Sequence, residues 1–286
     1  MKFRTRHARL LLVLILLTLG GCGSVISNEL NQIGIPVGEH GDWRTGPNAE
    51  VSGKSTRDVF QDPQSRALAE AACHGDLSKL DALVKHGANV NATGYRDVSA
   101  LAWTMICKNY EGAERLLELG ANPNFKMKGT GDDSPMWLAA GSNDPHWLPM
   151  MLAHGGDPNI RSGYRTALMI AIEQDRMQNV KLLLEHGADV NEHYAGNDTA
   201  AMDAAALAKF DVVEMLLRHG YDYNLQDLTN MVSVDHVPPN DPKHAIWLQV
   251  LQILAAKGFH PNVVPHVGGP PPGLVPSSSD SGGGHP

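Results

Sequence analysis

Val180-Lys181-Leu182-Leu183-Leu184-Glu185-His186-Gly187-Ala188-Asp189-Val190-Asn191 decides the fold of this chain of 286 residues. Val180, Leu183 and Leu184 fall on one face of a helix. Gly187 supplies the left-handed residue that ends it, and the Asp189 carboxylate can tie down the turn that follows. The same cadence runs along the chain: glycine, then Asn, Asp or His two residues on, then Asn two further. It reads Gly87-Ala88-Asn89-Val90-Asn91, Gly120-Ala121-Asn122-Pro123-Asn124, Gly155-Gly156-Asp157-Pro158-Asn159, Gly220-Tyr221-Asp222-Tyr223-Asn224 and Gly258-Phe259-His260-Pro261-Asn262. Successive glycines stand 33, 35, 32, 33 and 38 residues apart. Helical apolar faces precede them, as in Leu80, Leu83 and Val84, Leu116 and Leu117, or Val213, Leu216 and Leu217. A period of this length belongs to a stack of small units, each contacting only its neighbours.

Upstream of each of these faces lies a second, alanine-rich helical pattern, such as Ala67-Leu68-Ala69-Glu70-Ala71-Ala72 or Ala204-Ala205-Ala206. Small side chains there let adjacent helix pairs approach closely. Four of these patterns open alike: Ser99-Ala100-Leu101-Ala102-Trp103-Thr104, Ser134-Pro135-Met136-Trp137-Leu138-Ala139, Thr166-Ala167-Leu168-Met169-Ile170-Ala171 and Thr199-Ala200-Ala201-Met202-Asp203-Ala204. Period and motif together resemble the ankyrin repeat, whose unit is a β-turn and two helices and whose signature is Thr-Pro-Leu-His-x-Ala. The resemblance covers residues 62–262 and implies an all-α solenoid of about six repeats with short hairpin tips. The family histidine is replaced by Ala102, Trp137, Met169 and Met202, which removes a turn-stapling hydrogen bond and leaves the apolar pattern intact. Asp62-Pro63 reads as an N-cap with proline at the first helical position. Asp241-Pro242 reads as the same device at the start of the final helix. Terminal units should be atypical, because one face of each meets water.

Lys2, Arg4, Arg6 and Arg9 precede an apolar run from Leu10 to Leu17 that continues to Leu19. That run is shorter than the roughly 20 apolar residues of a membrane-spanning helix, and with small residues after it reads as a secretory leader, residues 1–21. Leu19-Gly20-Gly21-Cys22 resembles the lipobox of bacterial lipoproteins, which implies cleavage before Cys22 and acylation of that cysteine. More than one acyl chain makes membrane anchoring stable. Gly23, where inner-membrane retention would place aspartate, implies the outer membrane, with the protein facing the periplasm. Residues 22–61 then serve as the lipidated cysteine and a tether with a few ordered contacts. Residues 263–286, nearly all Gly, Pro and Ser from Gly268 onward, are expected to be a disordered tail.

Without the leader the charge is 19 basic against 31 acidic residues, or −12. So acidic a surface argues against nucleic acid and anionic lipid as partners. Cys73 and Cys107 remain after Cys22 is lipidated. An exported protein meets an oxidising compartment, where a disulfide is possible. The two cysteines sit one register position apart on neighbouring helices, however, and stacked helices are about 8–10 Å apart, against the ~7 Å limit between bonded Cα atoms. Two buried apolar thiols are the default and a disulfide the alternative.

The sequence holds no Gly-x-Ser-x-Gly elbow, His-Glu-x-x-His, phosphate-binding glycine loop or Cys-x-x-Cys pair, and implies no catalytic residue, cofactor or metal. His86, His154, His186 and His219 each precede a repeat glycine. They are one equivalent position, where an imidazole complements a helix C-terminus. Asp157, Asp189 and Asp222 are turn residues by the same logic.

In the ankyrin family partners lie against the hairpin tips and the concave side of the first helices. The pairs Tyr95-Arg96 and Tyr164-Arg165 and the pair His193-Tyr194 occupy three tips, and Tyr and Arg are enriched at binding hot spots. A further tip, Phe125 to Asp133, is two residues longer and carries Lys126 and Lys128. Trp103 is expected to be partly exposed on the inner surface. These nine residues are the candidate contacts for one protein partner. In architecture an exported ankyrin lipoprotein resembles immunity proteins that neutralise secreted antibacterial toxins such as phospholipase effectors. The alternative is a periplasmic ankyrin scaffold that supports a resident envelope enzyme or a stress response.

Overall fold

The computed structural model describes residues 50–262, apart from 52–53 and 195–197. The leader, Cys22, most of the tether and the tail lie outside the described residues. Thirteen α-helices are present among those described: α1 Thr56–Val59, α2 Pro63–His74, α3 Leu77–Lys85, α4 Ala100–Cys107, α5 Tyr110–Glu118, α6 Pro135–Gly141, α7 Trp147–Ala153, α8 Ala167–Glu173, α9 Met177–Glu185, α10 Ala200–Ala206, α11 Phe210–Arg218, α12 Leu225–Val234 and α13 His244–Ala256. From α2 onward they form six antiparallel pairs, one per glycine motif. Short antiparallel hairpins project between pairs, β3 Arg161–Ser162 with β4 Arg165–Thr166 and β5 His193–Tyr194 with β6 Asp198–Thr199, and one precedes the first pair, β1 Glu50–Val51 with β2 Lys54–Ser55. Two more tips are closed by single bridges, Thr93 to Ser99 and Met127 to Asp133.

The first residue of each Ser/Thr motif is a helix N-cap. Ser99, Ser134, Thr166 and Thr199 accept from the backbone N–H three residues on, each at 3.1 Å, satisfying one of the donors that a helix start leaves open. Asp62 caps α2 in the same way, accepting from Ser65 N–H at 2.7 Å with Pro63 behind it. At the other end Gly87 and its five counterparts have φ between 82° and 96°, where a Cβ would be strained. The last helix departs from expectation. It opens at His244 after Lys243, not at Pro242, and the long connection from Asp235 to Lys243 accounts for the longer final unit.

Fourth before each glycine stands Leu83, Leu116, Met151, Leu183, Leu216 or Leu254. The last five are fully buried, while Leu83 at the end of the stack is half-buried. Each such side chain is worth about 1.5–3 kcal/mol when taken out of water. Between the pairs the alanines disappear: Ala69, Ala72, Ala113, Ala139, Ala140, Ala167, Ala171, Ala201 and Ala204 are all buried.

Two polar ladders join the repeats. In the glycine motif the third residue makes the expected turn: Asn89, Asn122, Asp157 and Asp189 accept from the N–H of Asn91, Asn124, Asn159 and Asn191. The fifth residue reaches the next repeat. Asn91 accepts from Asn122 N–H and donates to Gly120 O. Asn124 does the same to Asp157 and Gly155, Asn159 to Asp189 and Gly187, and Asn191 to Asp222 and Gly220. A second ladder serves the ends of the first helices. Asn109 donates to Cys73 O, Arg176 to Gly141 O, Lys209 to Ile172 O and Lys243 to Ala208 O. These carbonyls stand at or just past the ends of the first helices, where the helix leaves acceptor capacity open.

Cys73 of α2 and Cys107 of α4 are joined in a disulfide, with Cα atoms 5.4 Å apart. The spacing argument that made two thiols the default fails here because alanine-rich first helices approach more closely than average helices. Ordered structure also starts before Asp62. Thr56, Val59 and Phe60 are buried against repeats one and two, so residues 54–60 close the N-terminal end of the stack as a cap.

Candidate protein-interaction surface

Hairpin tips are exposed because each is a turn between two packed helical layers. Among the described residues only seven large hydrophobics are exposed, and three are the tip tyrosines: Tyr95 at 55%, Tyr164 at 49% and Tyr194 at 49%. Tyr95 follows Gly94 in a short 3-10 turn. Lys54 of the N-terminal hairpin sets its ammonium 5.1 Å from the Tyr95 ring centre, so a residue outside the expected repeat region joins this tip. Tyr164 and Tyr194 on adjacent tips lie 6.2 Å apart, within the range of favourable aromatic pairs. Arg165 places its guanidinium 5.6 Å from the Tyr164 ring and pairs with Glu173 of α8. His193 stacks on Tyr223 at 4.0 Å, and its carbonyl accepts from Arg161 at 3.0 Å.

The tips are also fastened sideways. Arg96 Nε donates to Gly129 O, and a Cβ on Gly129 would stand 2.4 Å from Arg96 Cα, so these two tips touch backbone to backbone. Lys126 and Lys128 are exposed on either side of Met127, which is 2% exposed. The longer tip is therefore anchored by its methionine and presents its lysines outward.

Trp103 corrects the sequence reading. It is 1% exposed, its Nε1 donates to Thr56 Oγ1 at 2.9 Å, and its ring meets Phe60 edge-on at 5.9 Å. The N-terminal cap covers the part of the inner surface where Trp103 was expected to be open, and the indole is core. The remaining candidates, Tyr95, Arg96, Lys126, Lys128, Tyr164, Arg165, His193 and Tyr194, are all distributed along the row of tips.

The histidines before the glycines serve helix ends: His86, His186 and His219 set Nδ1 at 2.6, 2.8 and 2.8 Å from the carbonyls four residues back. Sequence reasoning missed Asp133, which is fully buried between two tips. Ser162 Oγ lies within hydrogen-bond reach of its carboxyl Oδ1 and, at 3.0 Å, of Gly131 O, sharing its one hydroxyl hydrogen between them, while Oδ2 has no partner among the described residues. Burial pushes the Asp133 carboxyl up to about 7, against the pull of bonds from Ser162 and Thr130. The native protein thus holds a proton that the unfolded chain releases near pH 4. This contribution to stability is full below about pH 4 and is lost as pH rises through about 7. Asp133→Asn, which stays neutral, should melt above wild type at pH 8 by about 10 °C, with the gap narrowing toward pH 5. Melting curves that stay parallel from pH 5 to 8 would contradict this assignment.

Two hollows of about 390 and 270 Å³ lie along second helices, one lined by Lys181, Asp211, Glu214 and Arg218, the other by Pro145, Pro149, Asn179 and Glu185. Among the described residues no three His, Cys, Asp or Glu side chains converge as for a metal ion.

A family profile of ankyrin repeats, in three copies, matches residues 136–227. Protein PhlB of Serratia liquefaciens is 30% identical over 150 residues, spanning 52% of this chain and 65% of PhlB. Human ankyrin repeat and SOCS box protein 6 is 31% identical over 160 residues, which is 51% of this chain but only 37% of that protein. The crystal structure of an ankyrin repeat domain from Acinetobacter baumannii superposes with a TM-score of 0.54 at 25% identity, covering 67% of this chain and 97% of that one. With six helix pairs, capped motifs and hairpin tips in register, the body of this chain is an ankyrin-repeat solenoid.

Proposed function

We propose that this chain is a non-enzymatic, protein-binding lipoprotein of the bacterial envelope. On this reading it is an immunity protein that binds and occludes a secreted toxin acting in the periplasm, such as a phospholipase effector. The observation that carries the binding role is the row of half-exposed tyrosines on hairpins held to one another through Arg96, Arg161 and Ser162. Rigid aromatic side chains bury large area at low entropic cost. Occluding a toxin requires a rigid surface and no chemistry. Export is supported by the leader, the Leu19-Gly20-Gly21-Cys22 motif and the Cys73–Cys107 disulfide, which suits an oxidising compartment. Lipidation at Cys22 would hold the surface at the outer membrane, facing the periplasm.

The test is capture from envelope extracts with residues 23–286, comparing wild type with a Tyr95→Ala, Tyr164→Ala, Tyr194→Ala variant. Wild type should retain one protein, and the variant, still folded by its melting curve, should bind it about 100-fold more weakly. A retained toxin, with killing by sibling cells when only this gene is deleted, supports immunity. A retained resident enzyme whose level falls in the deletion points to the scaffold instead. Equal binding by wild type and variant would remove the tyrosine row from the binding surface.

A further inference from the structure

The tie between the tip at residues 127–133 and the tip at residues 161–166 differs from its neighbours. Arg96 reaches Gly129 O on one side, and Arg161 reaches His193 O on the other. Both are donors whose charge is fixed. Between residues 127–133 and 161–166 the hydroxyl of Ser162 makes the link, set between Gly131 O at 3.0 Å and Asp133 Oδ1. If Asp133 is ionised, both of those oxygens are acceptors, and one hydroxyl hydrogen cannot fully serve two. The Thr130 hydroxyl, which also lies beside the carboxyl, donates to Met127 O at 2.8 Å. Asp133 is fully buried and its Oδ2 has no partner among the described residues, a costly place for a charge.

A proton on Asp133 removes the conflict. Oδ1–H donates to Ser162 Oγ, and the serine hydrogen passes whole to Gly131 O, so acid, hydroxyl and carbonyl form one chain. The surrounding charges leave the acid neutral. Asp132 repels an ionised neighbour, and the pull of Arg96 is the weakest of the influences on this carboxyl. Arg161 and Arg165, on the Ser162 tip, pair with Glu192 and Glu173. Glu173 is the one ionisable residue of α8, and α6 has none.

Ser162 pairs with Arg165 across the two-residue turn Gly163-Tyr164. It therefore fixes the base of the turn that carries Tyr164, whose ring lies 6.2 Å from that of Tyr194.

We propose that Asp133 is a positioning residue for the tip row: it carries a proton in the native protein, and that proton, acting through Ser162, holds the turn bearing Tyr164 against the preceding tip. Loss of the proton slackens this turn, so the aromatic row is firmly set in mild acid and loosens above neutrality. The consequence for capture rests on the tips being the binding surface. The slackening is readable without a partner, so either can fail alone.

The test uses the full chain and compares wild type, D133N, S162A and D133N/S162A by amide hydrogen exchange at pH 5 and pH 8. Taking wild type against D133N at each pH cancels the intrinsic effect of pH on exchange. For residues 161–167 that ratio should rise about tenfold or more from pH 5 to pH 8, while the ratios in α2 and α11 change less than about twofold. S162A should exchange fast in this segment at both pH values, and its ratio to D133N/S162A should change less than about twofold. The infrared difference between wild type and D133N at pH 6 should contain the carbonyl band of a protonated carboxyl. An absent band overturns the proposal, as does a ratio for residues 161–167 that stays constant with pH. A ratio that rises equally in α2, α11 and the tip also overturns it, leaving Asp133 a residue of global stability alone.

Discussion

Reducing the Cys73–Cys107 bond should lower the unfolding free energy by about 4 kcal/mol, the chain-entropy value for a loop closed by residues 34 apart. Both cysteines are buried, so reductant will reach them only through local opening, and the effect should develop with time. Urea unfolding with and without reductant measures it. Cys73→Ala/Cys107→Ala should match the reduced wild type and be indifferent to reductant. Because each repeat meets only its neighbours, the loss should concentrate in repeats one and two. Hydrogen exchange in α2 to α5 should rise while α8 and α9 keep their protection. A reduced protein with an unchanged urea midpoint would show that packing alone fixes these two repeats.

Gly112→Ala should destabilise by about 3 kcal/mol, although alanine normally favours a helix over glycine by about 1 kcal/mol. The sign is reversed by where α5 crosses α2. A Cβ on Gly112 would stand 2.0 Å from the Ala72 carbonyl oxygen and 2.8 Å from its carbon, and backbone at that distance must move. Gly141→Ala is the control within another helix. Its added Cβ would meet Ile170 Cγ1 at 3.0 Å, a side-chain atom that can shift, so its cost should be small. The Gly112 crossing is also adjacent to Cys73, so the same substitution should slow re-formation of the disulfide during refolding, read by thiol titration. A Gly112→Ala protein as stable as wild type would mean that the helices separate freely and that the close crossing is unimportant.

The fold was legible because its determinants are local and repeated. Gly87 to Asn91 and its copies name a helix end, a turn and a step to the next unit within five residues. Ser99, Ser134, Thr166 and Thr199 name the helix starts. Features made by contact between distant segments were not legible. Trp103 reads as an inner-surface residue until residues 54–60 fold over it. Cys73 and Cys107 read as too far apart until the alanines around them set the helix spacing. Asp133 looks like one more acidic tip residue, and nothing within the tip signals that Ser162 comes across to bury it. The exposed tyrosines were readable for a simple reason: a bulky side chain at a tight tip, directly after glycine for Tyr95 and Tyr164, has little to pack against.

The asparagine ladder has a consequence for how such a chain can change. Asn91, Asn124, Asn159 and Asn191 each bond to backbone N–H and C=O groups of the neighbouring unit, and every residue type except proline, which lacks the N–H, offers those atoms. The joint between units is therefore indifferent to what the next unit's side chains are. Duplication or deletion of a whole unit among the third to fifth preserves this ladder at both new edges, whereas the first two are bound to each other by the Cys73–Cys107 disulfide. Past Asn224 this freedom ends. Its side chain turns back to Asp227, and the sixth unit is joined through Gln226 and Asn230 instead. Growth and shortening by whole units are confined to the interior of the stack, and the last unit is a fixed terminus that must be inherited as a piece.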